Sequence, residues 1–381
     1  MTIDVQQLRT KEFPWAAAGE AIYLNTASTG PLPRRAVDAV ARFTEMRAAP
    51  HRMTHELQFG TLTRSRALVA KLINAQAGEI ALATNTSFGI NIAAVSLPLG
   101  KGDVVLGFQQ EFPANVYPWM AAARQRGFEF RLLPATRGVP SQDALLEAMR
   151  APNVKAVAIS WVEFASGYRF DLERIGAECR ASGIFFVVDA IQGLGPATLD
   201  VSRTHVDILS CGAQKWLLSP WGTGFVYVRG ELIPDLEPGF VSWMGVRGSD
   251  DFANLVDYDL TWRDDARKFE FITLPFQEFA GLNATLELIL ELGPDTIASY
   301  TSSLADQILA WAEKHGVEAV TPTNTAHRAG IVALRFRDSE KRSERLTSAG
   351  VVHSLREGAI RLAPYFFNTP DEIARALEIL G

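Results

Sequence analysis

Lys215 closes the segment Asp207-Ile-Leu-Ser-Cys-Gly-Ala-Gln-Lys215, and Trp216 follows it. An apolar run, then small residues, then a lysine beside tryptophan is a poor surface sequence. A lysine held out of water loses its proton more readily and becomes a nucleophile toward carbonyl carbon. Upstream, Phe185-Phe-Val-Val-Asp189 is an apolar run that ends on a carboxylate. Such a group needs a partner if it is buried, although a helix N-cap would serve equally well. A lysine for an imine and an aspartate for a protonated ring nitrogen are together what pyridoxal phosphate asks of a protein.

Other polar residues stand at comparable places. Asn85-Thr-Ser87 opens a helical pattern, Phe88–Leu97, after an apolar run. Backbone N–H groups and the hydroxyls of Thr86 and Ser87 could cradle a phosphate without a metal, or simply cap the helix. Phe112, in Glu111-Phe-Pro113, is placed to stack on a pyridine face or to pack under a loop. Gln192 is either a hydrogen-bond partner for a phenolic oxygen or a surface residue, and Glu163-Phe164 ends a further run. Arg361 offers a guanidinium fork suited to a carboxylate, or to an ordinary salt bridge. No Gly-x-Gly-x-x-Gly and no Walker-type Gly-Lys-Ser/Thr opens any helix, which argues against nucleotide chemistry.

The elements that must carry these residues alternate between about residues 60 and 230. Candidate strands are 79–84, 103–108, 128–133, 154–160, 184–188, 206–211 and 223–229. Helical patterns such as 143–150 and 172–181 lie between them, which predicts a largely parallel sheet covered on both faces. All the polar candidates but Arg361 fall just beyond strand ends, where open α/β sheets bind ligands. Residues 234–268 read as irregular. The tail reads as a smaller α+β unit, with helices at 277–292, 297–315 and 370–379 and strands at 331–336 and 359–362.

Composition is consistent with an enzyme and excludes several classes. The chain has 381 residues, 48% apolar and 21% charged, with a net charge of −6 and no basic block for nucleic acid. Cys179 and Cys211 form neither a metal spacing nor a disulfide framework. The first residues lack the apolar stretch of a signal peptide, and no run is long enough to span a membrane. The expected location is the cytoplasm.

With these residues in hand, the chain resembles the class-V aminotransferase family of pyridoxal phosphate enzymes, fold type I, which includes cysteine desulfurases, kynureninases and isopenicillin-N-epimerase-like proteins. The resemblance runs through Tyr23-Leu-Asn-Thr-Ala-Ser-Thr-Gly-Pro31, Thr86-Ser-Phe-Gly-Ile-Asn91, Val188-Asp-Ala-Ile-Gln192, Gly212-Ala-Gln-Lys-Trp216, Gly222-Thr-Gly-Phe225 and Ile360-Arg-Leu-Ala-Pro364. It implies a large domain with a mostly parallel seven-stranded sheet, residues 46–265, an N-terminal segment, 1–45, and a smaller α+β domain, 266–381. It also implies that Lys215 carries pyridoxal 5′-phosphate, that Asp189 meets the pyridinium nitrogen and that Gln192 meets the phenolic oxygen. Thr86, Ser87 and Gln214 then serve the phosphate, Phe112 stacks on the ring, and Arg361 with Asn25 binds the substrate. A homodimer is implied as well, with Thr273 reaching the neighbouring subunit's phosphate.

Three departures bear on the reaction. Desulfurases of the family carry a cysteine on a loop before the carboxylate-binding arginine. Here residues 350–359 contain none. Gln214 stands where those enzymes have histidine, and Phe164 where asparagine is usual. The expectation is therefore an aminotransferase acting on a small amino acid. A β-lyase, kynureninase-like enzyme or epimerase is the alternative, and a desulfurase is disfavoured. A non-catalytic protein of the same fold would be expected to have lost Lys215 or Asp189. His51, His55, Trp119, Trp161, Trp221, Trp243, His353 and Arg356 remain as residues that could shape a substrate pocket.

Overall fold

The computed structural model describes residues 3–136 and 138–381. Its centre is a seven-stranded sheet: β1 Ile80–Ala83, β2 Val104–Phe108, β3 Glu129–Leu133, β4 Val154–Ser160, β5 Phe185–Asp189, β6 Ile208–Gly212 and β7 Gly224–Val228. The spatial order is β1-β7-β6-β5-β4-β2-β3, and only β7 runs antiparallel to its neighbours. All seven expected strands are present, with ends displaced by at most two residues.

These strands are near-continuous apolar runs because both faces are covered. Alternate residues serve two cores: Leu82, Leu106, Ile159, Val188 and Leu209 face one, and Ala81, Val105, Ala158, Val187 and Ile208 face the other. The first core also takes residues of two long helices, α2 His55–Ile73 and, later in the chain, Phe276–Leu292, and on the latter packs a third, α1 Arg34–Ala48. Neither α1 nor α2 was apparent from sequence. In α2 the apolar positions Leu62, Val69 and Ile73 alternate with Thr61, Thr63 and Ser65, which blurs the stripe that marks an amphipathic helix.

The next helix, α3 Thr86–Ser96, begins two residues earlier than expected, and its N-cap is Asn85, which accepts from Phe88 N at 3.0 Å. Thr86 and Ser87 are thus helical rather than caps. Gly89 lets α3 lie against β6: a Cβ there would stand 2.3 Å from Ser210 Oγ. Ser210 Oγ in turn donates to Thr86 O at 2.8 Å, fixing the helix start above β6.

After α4 Leu172–Ser182 the chain forms β5, β6 and β7, then an irregular stretch, then α5 Phe276–Leu292 and α6 Pro294–Lys314. A four-stranded antiparallel sheet follows: β8 Glu318–Ala319, β9 Val332–Arg335, β10 Ser354–Arg356 and β11 Ala359–Leu362, in the order β8-β9-β11-β10. It encloses a core with α6 and the last helix, α7 Pro370–Leu380. The N-terminal segment is tied to this part: Ile22 and Tyr23 pair with Val351 and Val352, and Arg9 forms an ion pair with Glu372 at 2.8 Å. No helix among the described residues is long and apolar enough to cross a membrane.

Candidate active site

The strand order changes direction between β2 and β4, and ligands bind at such a crevice beyond the carboxyl ends of the strands. Glu111 and Phe112 follow β2, Glu163 and Phe164 follow β4, Asp189 ends β5, and Lys215 follows β6.

Lys215 lies in a tight loop. Leu218 N returns to Lys215 O at 3.1 Å and Ser219 N to Ala213 O at 3.0 Å. Trp216 is the anchor of this loop, which explains its place beside the lysine: its ring is buried edge-on to Tyr365, and its Nε1 donates to Gln192 Oε1 at 2.8 Å. The N-terminal segment crosses above, with Gly30 N donating to Gln214 O at 2.8 Å. Only glycine fits at that crossing, because a Cβ on Gly30 would stand 2.0 Å from Lys215 O.

The Lys215 side chain makes no hydrogen bond or ion pair among the described residues, and its Nζ lies 5.3 Å from the centroid of the Phe112 ring. Burial pushes its pKa down to about 8; Arg361 and Arg356 push the same way, and Asp189 opposes them. Phe112 is 42% exposed and meets Phe164 edge-on at 5.3 Å, so one face of its ring remains open.

Below the lysine lie three buried carboxyls. Asp189 is 2% exposed; Ile191 N donates to its Oδ1 at 2.9 Å, and Oδ2 has no partner among the described residues. Burial raises its pKa to about 6 against the pull of that N–H and of Lys215. Glu111 accepts from Ser160 N at 2.6 Å and Ser160 Oγ at 2.5 Å, yet burial still lifts it to about 7, with Asp189 adding to the effect. Glu163 rises well above the usual carboxyl range through burial and then through repulsion from Glu111 and Asp189, and its Oε1 has no partner. A floor that holds three acids, two of them with an oxygen lacking a partner among the described residues, is shaped for a cation.

The opposite wall holds a buried cation. Arg361 is 2% exposed and donates from Nε to Ser354 Oγ at 3.0 Å, from Nη1 to Phe164 O at 2.7 Å and from Nη2 to Ser28 Oγ at 2.7 Å. All three acceptors are neutral, and burial lowers its pKa to about 10. Ser28 and Ser354 were not legible as site residues. The available signal was the Glu357-Gly358 turn, both residues left-handed at φ 46° and 73°, which sets Ser354 opposite Arg361 in a hairpin.

Thr86 is buried, its Oγ1 accepting from Gly212 N at 2.9 Å, and Ser87 is exposed beside it. Gln192 is engaged at both ends, donating from Nε2 to Ala27 O at 3.0 Å and accepting from Trp216, which leaves one N–H for another partner. Asn25 bridges to Ala363, and its Oδ1 is buried without a partner. Thr273 is exposed and outside this cluster. Most of the wider pocket residues lie elsewhere. Trp119 and Trp161 are buried in the cores, His55 stacks on Phe59, His353 bonds Ser343, and Trp221 and Trp243 face solvent.

These groups fit pyridoxal phosphate on their own chemistry: an amine of lowered pKa, a buried carboxylate with a free oxygen, an open aromatic face and a helix start with two hydroxyls. The fold and site define a fold type I pyridoxal phosphate enzyme. The family description Aminotransferase class-V matches residues 22–362, and the chain belongs to that family. It is 29% identical over 343 residues to a probable cysteine desulfurase of Aeropyrum pernix, covering 85% of this chain and 80% of that one. It is 28% identical over 375 residues to an isopenicillin N epimerase of Streptomyces clavuligerus, covering 94% of each. Among solved structures, the apo cysteine desulfurase from Thermococcus onnurineus superposes with a TM-score of 0.87 at 22% identity, over 100% of this chain and 97% of that one. The cystine C–S lyase C-DES with cysteine persulfide gives 0.86 at 22% identity, over 96% and 98%. At that identity the two structures establish the fold.

Proposed function

We propose that this enzyme is an aminotransferase that binds the α-carboxylate of a small amino acid at Arg361 and uses Lys215 as its only mobile base. The observation that carries this reading is the pairing of a buried arginine without a carboxylate partner with a lysine whose pKa is pushed down to about 8. Pyridoxal phosphate, when bound, supplies an aldehyde that condenses with amines and a ring that withdraws electrons from the carbon bearing that nitrogen. Asp189 would hold the ring nitrogen protonated, since an ion pair compensates its burial. Thr86, Ser87 and Gln214 would hold the phosphate, and Phe112 would cover the ring.

The protein's own part is orientation and proton transfer. Two parallel charge-assisted bonds from Arg361 fix the carboxylate and direct the Cα–H bond toward Lys215 Nζ. Lys215, largely protonated at neutral pH but with an appreciable neutral fraction, takes that proton and returns it. Phe112 and Phe164 exclude water from one side of the reacting carbon.

The lack of a reactive thiol favours amino-group transfer over sulfur chemistry. Both cysteines are buried, and the hairpin before Arg361 is short and carries none. The second reading, a β-lyase, would use the same proton abstraction with a leaving group on Cβ. Incubation with amino donors and 2-oxo acids, followed by product analysis, separates them. An aminotransferase yields matched amounts of new amino acid and new oxo acid. Ammonia with pyruvate marks a lyase, and alanine with sulfide from cysteine marks a desulfurase; either result overturns the proposal.

The same reading includes a homodimer. Large apolar side chains crowd the surface between residues 221 and 271, including Trp221 at 73% exposure and Tyr258 at 89%, with Phe240, Trp243, Val256 and Leu260. Such a patch marks a protein interface, and Thr273 borders it.

A further inference from the structure

The C-terminal sheet carries three arginines on one face. In its antiparallel register Arg335 stands opposite Ala359 and Ala359 opposite Arg356; two positions along, Ala333 stands opposite Arg361 and Arg361 opposite Ser354. Residues directly opposite in a sheet, and residues two apart along a strand, share a face. Arg335, Arg356 and Arg361 therefore leave the sheet on the same side. The other side carries Val332, Leu334, Ile360 and Leu362 into the core. The bond from Arg361 to Phe164 O shows that the arginine face is the one turned to the active site.

The three differ in what neutralises them. Arg335 Nη1 pairs with Glu318 at 3.2 Å. Arg361 is held by neutral acceptors and is assigned above to the α-carboxylate. Arg356 is exposed, and its hydrogen bond is from Nη1 to the carbonyl of the adjacent Leu355 at 3.0 Å, with no carboxylate paired to it among the described residues. Its charge is nonetheless felt at both Lys215 and Arg361. A cavity of about 130 Å³ lies beside it, lined also by Gln110, Ala165, Ser166, Arg335, Glu357 and Ala359, and Glu357 makes no ion pair with Arg356. Ala165 follows Phe164, whose carbonyl Arg361 holds, so the cavity adjoins the carboxylate seat. The two-residue Glu357-Gly358 turn ties β10 to β11, placing Arg356 on a paired strand rather than a loose loop.

We propose that Arg356 receives a second carboxylate, carried by the side chain of the substrate, and so makes this site selective for acidic amino acids. The proposal rests on the reading of Arg361 and Lys215 as the amino-acid site. Two guanidinium groups on one sheet face give a dicarboxylate two seats at fixed separation, whereas a neutral side chain of the same shape would leave Arg356 facing water.

The test compares isosteric pairs on the holoenzyme: L-glutamate against L-glutamine, and L-aspartate against L-asparagine, titrated by the absorbance of the bound cofactor. Calorimetry with glutarate against butyrate repeats the comparison without an amino group. A charge-assisted bond at a solvent-facing arginine predicts that each acid binds about tenfold tighter than its neutral partner. Arg356→Gln is expected to bring that ratio close to one, and Arg356→Glu to reverse it. Because Arg356 is exposed, both variants should fold, which the melting temperature checks. Equal binding of acid and amide by the native enzyme, or a ratio that survives Arg356→Gln, overturns the proposal. Spectral changes of equal size with every amino acid remove only the role of Arg356. No response to any amino acid removes the underlying assignment of the site as well.

Discussion

The depressed pKa of Lys215 gives a prediction that needs neither substrate nor bound cofactor. An amine with a pKa of 10.5 is about one part in a thousand neutral at pH 7.5, and one at about 8 is about one quarter neutral. The nucleophilic form is therefore enriched roughly two-hundred-fold over that of an ordinary lysine. Competitive acetylation of the cofactor-free protein with trace reagent, read out by peptide mapping at several pH values, reports that fraction directly. The Lys215 profile should inflect near 8, well below the profiles of surface lysines such as Lys101.

Two substitutions should then move the inflection in opposite directions. Asp189, with a pKa of about 6, is ionised near pH 8 and favours protonated Lys215, so Asp189→Asn should shift the profile to lower pH. Arg361 disfavours protonated Lys215, so Arg361→Leu should shift it upward. Opposed shifts cannot arise from a general loosening of the loop, which would move both variants toward the ordinary value. An inflection near 10.5 in the native protein, or two shifts of the same sign, would refute the reasoning.

Other outcomes follow from the same geometry. Arg361→Leu should weaken amino-acid binding roughly 10- to 100-fold while pyridoxal phosphate still attaches to Lys215, as spectral titration will show. The carboxyls of Glu111, Asp189 and Glu163 are all raised on folding, so the folded cofactor-free protein binds more protons than the unfolded chain between about pH 4 and 7. Their contribution to stability is fully present below about pH 4; the shares of Asp189 and Glu111 are lost as pH rises through about 6 to 7 and that of Glu163 as pH rises through its own raised pKa, so Glu163→Gln should make the loss shallower in denaturant melts. If the proposed homodimer forms through the exposed apolar residues, Trp221→Glu, which places a charge among them, should shift it toward monomer in light scattering, with little change in the monomer's own melting.

Sequence made the central sheet legible because a doubly covered parallel sheet needs near-continuous apolar runs, and of these 185–189 ends on Asp189 while 208–212 leads three residues on to Lys215. Lys215 and Asp189 were visible for the same reason: each interrupts an apolar context that has no other use for a charge. Gln192 was visible, but its attachment was not. Nothing in Val188-Asp-Ala-Ile-Gln192 says that its amide will be gripped by Trp216 and Ala27, since those contacts join residues far apart in the chain. Ser28 and Ser354 were hidden in the same way, each being one hydroxyl among many until folding places it against a guanidinium.

The polarity of the site follows from which part of the fold supplies each charge. Every buried acid, Glu111, Glu163 and Asp189, lies at the carboxyl end of a strand of the large sheet, while Arg356 and Arg361 both come from the C-terminal sheet. Lys215 lies between the two sets; burial is the main cause of its lowered pKa, Asp189 opposes that shift, and the two arginines add to it. A ligand that is cationic where it meets the large sheet and anionic where it meets the C-terminal sheet would neutralise both walls at once. A protonated pyridine held at Asp189 together with an amino-acid carboxylate held at Arg361 would have that polarity, with Lys215 between them. Any movement of the C-terminal sheet relative to the large one would change the distance from the arginines to Lys215, and with it the basicity of Lys215. On the proposed reading, a substrate carboxylate seated at Arg361 would relieve the arginine repulsion on the lysine, and Lys215 would be a stronger base with that carboxylate in place than without it.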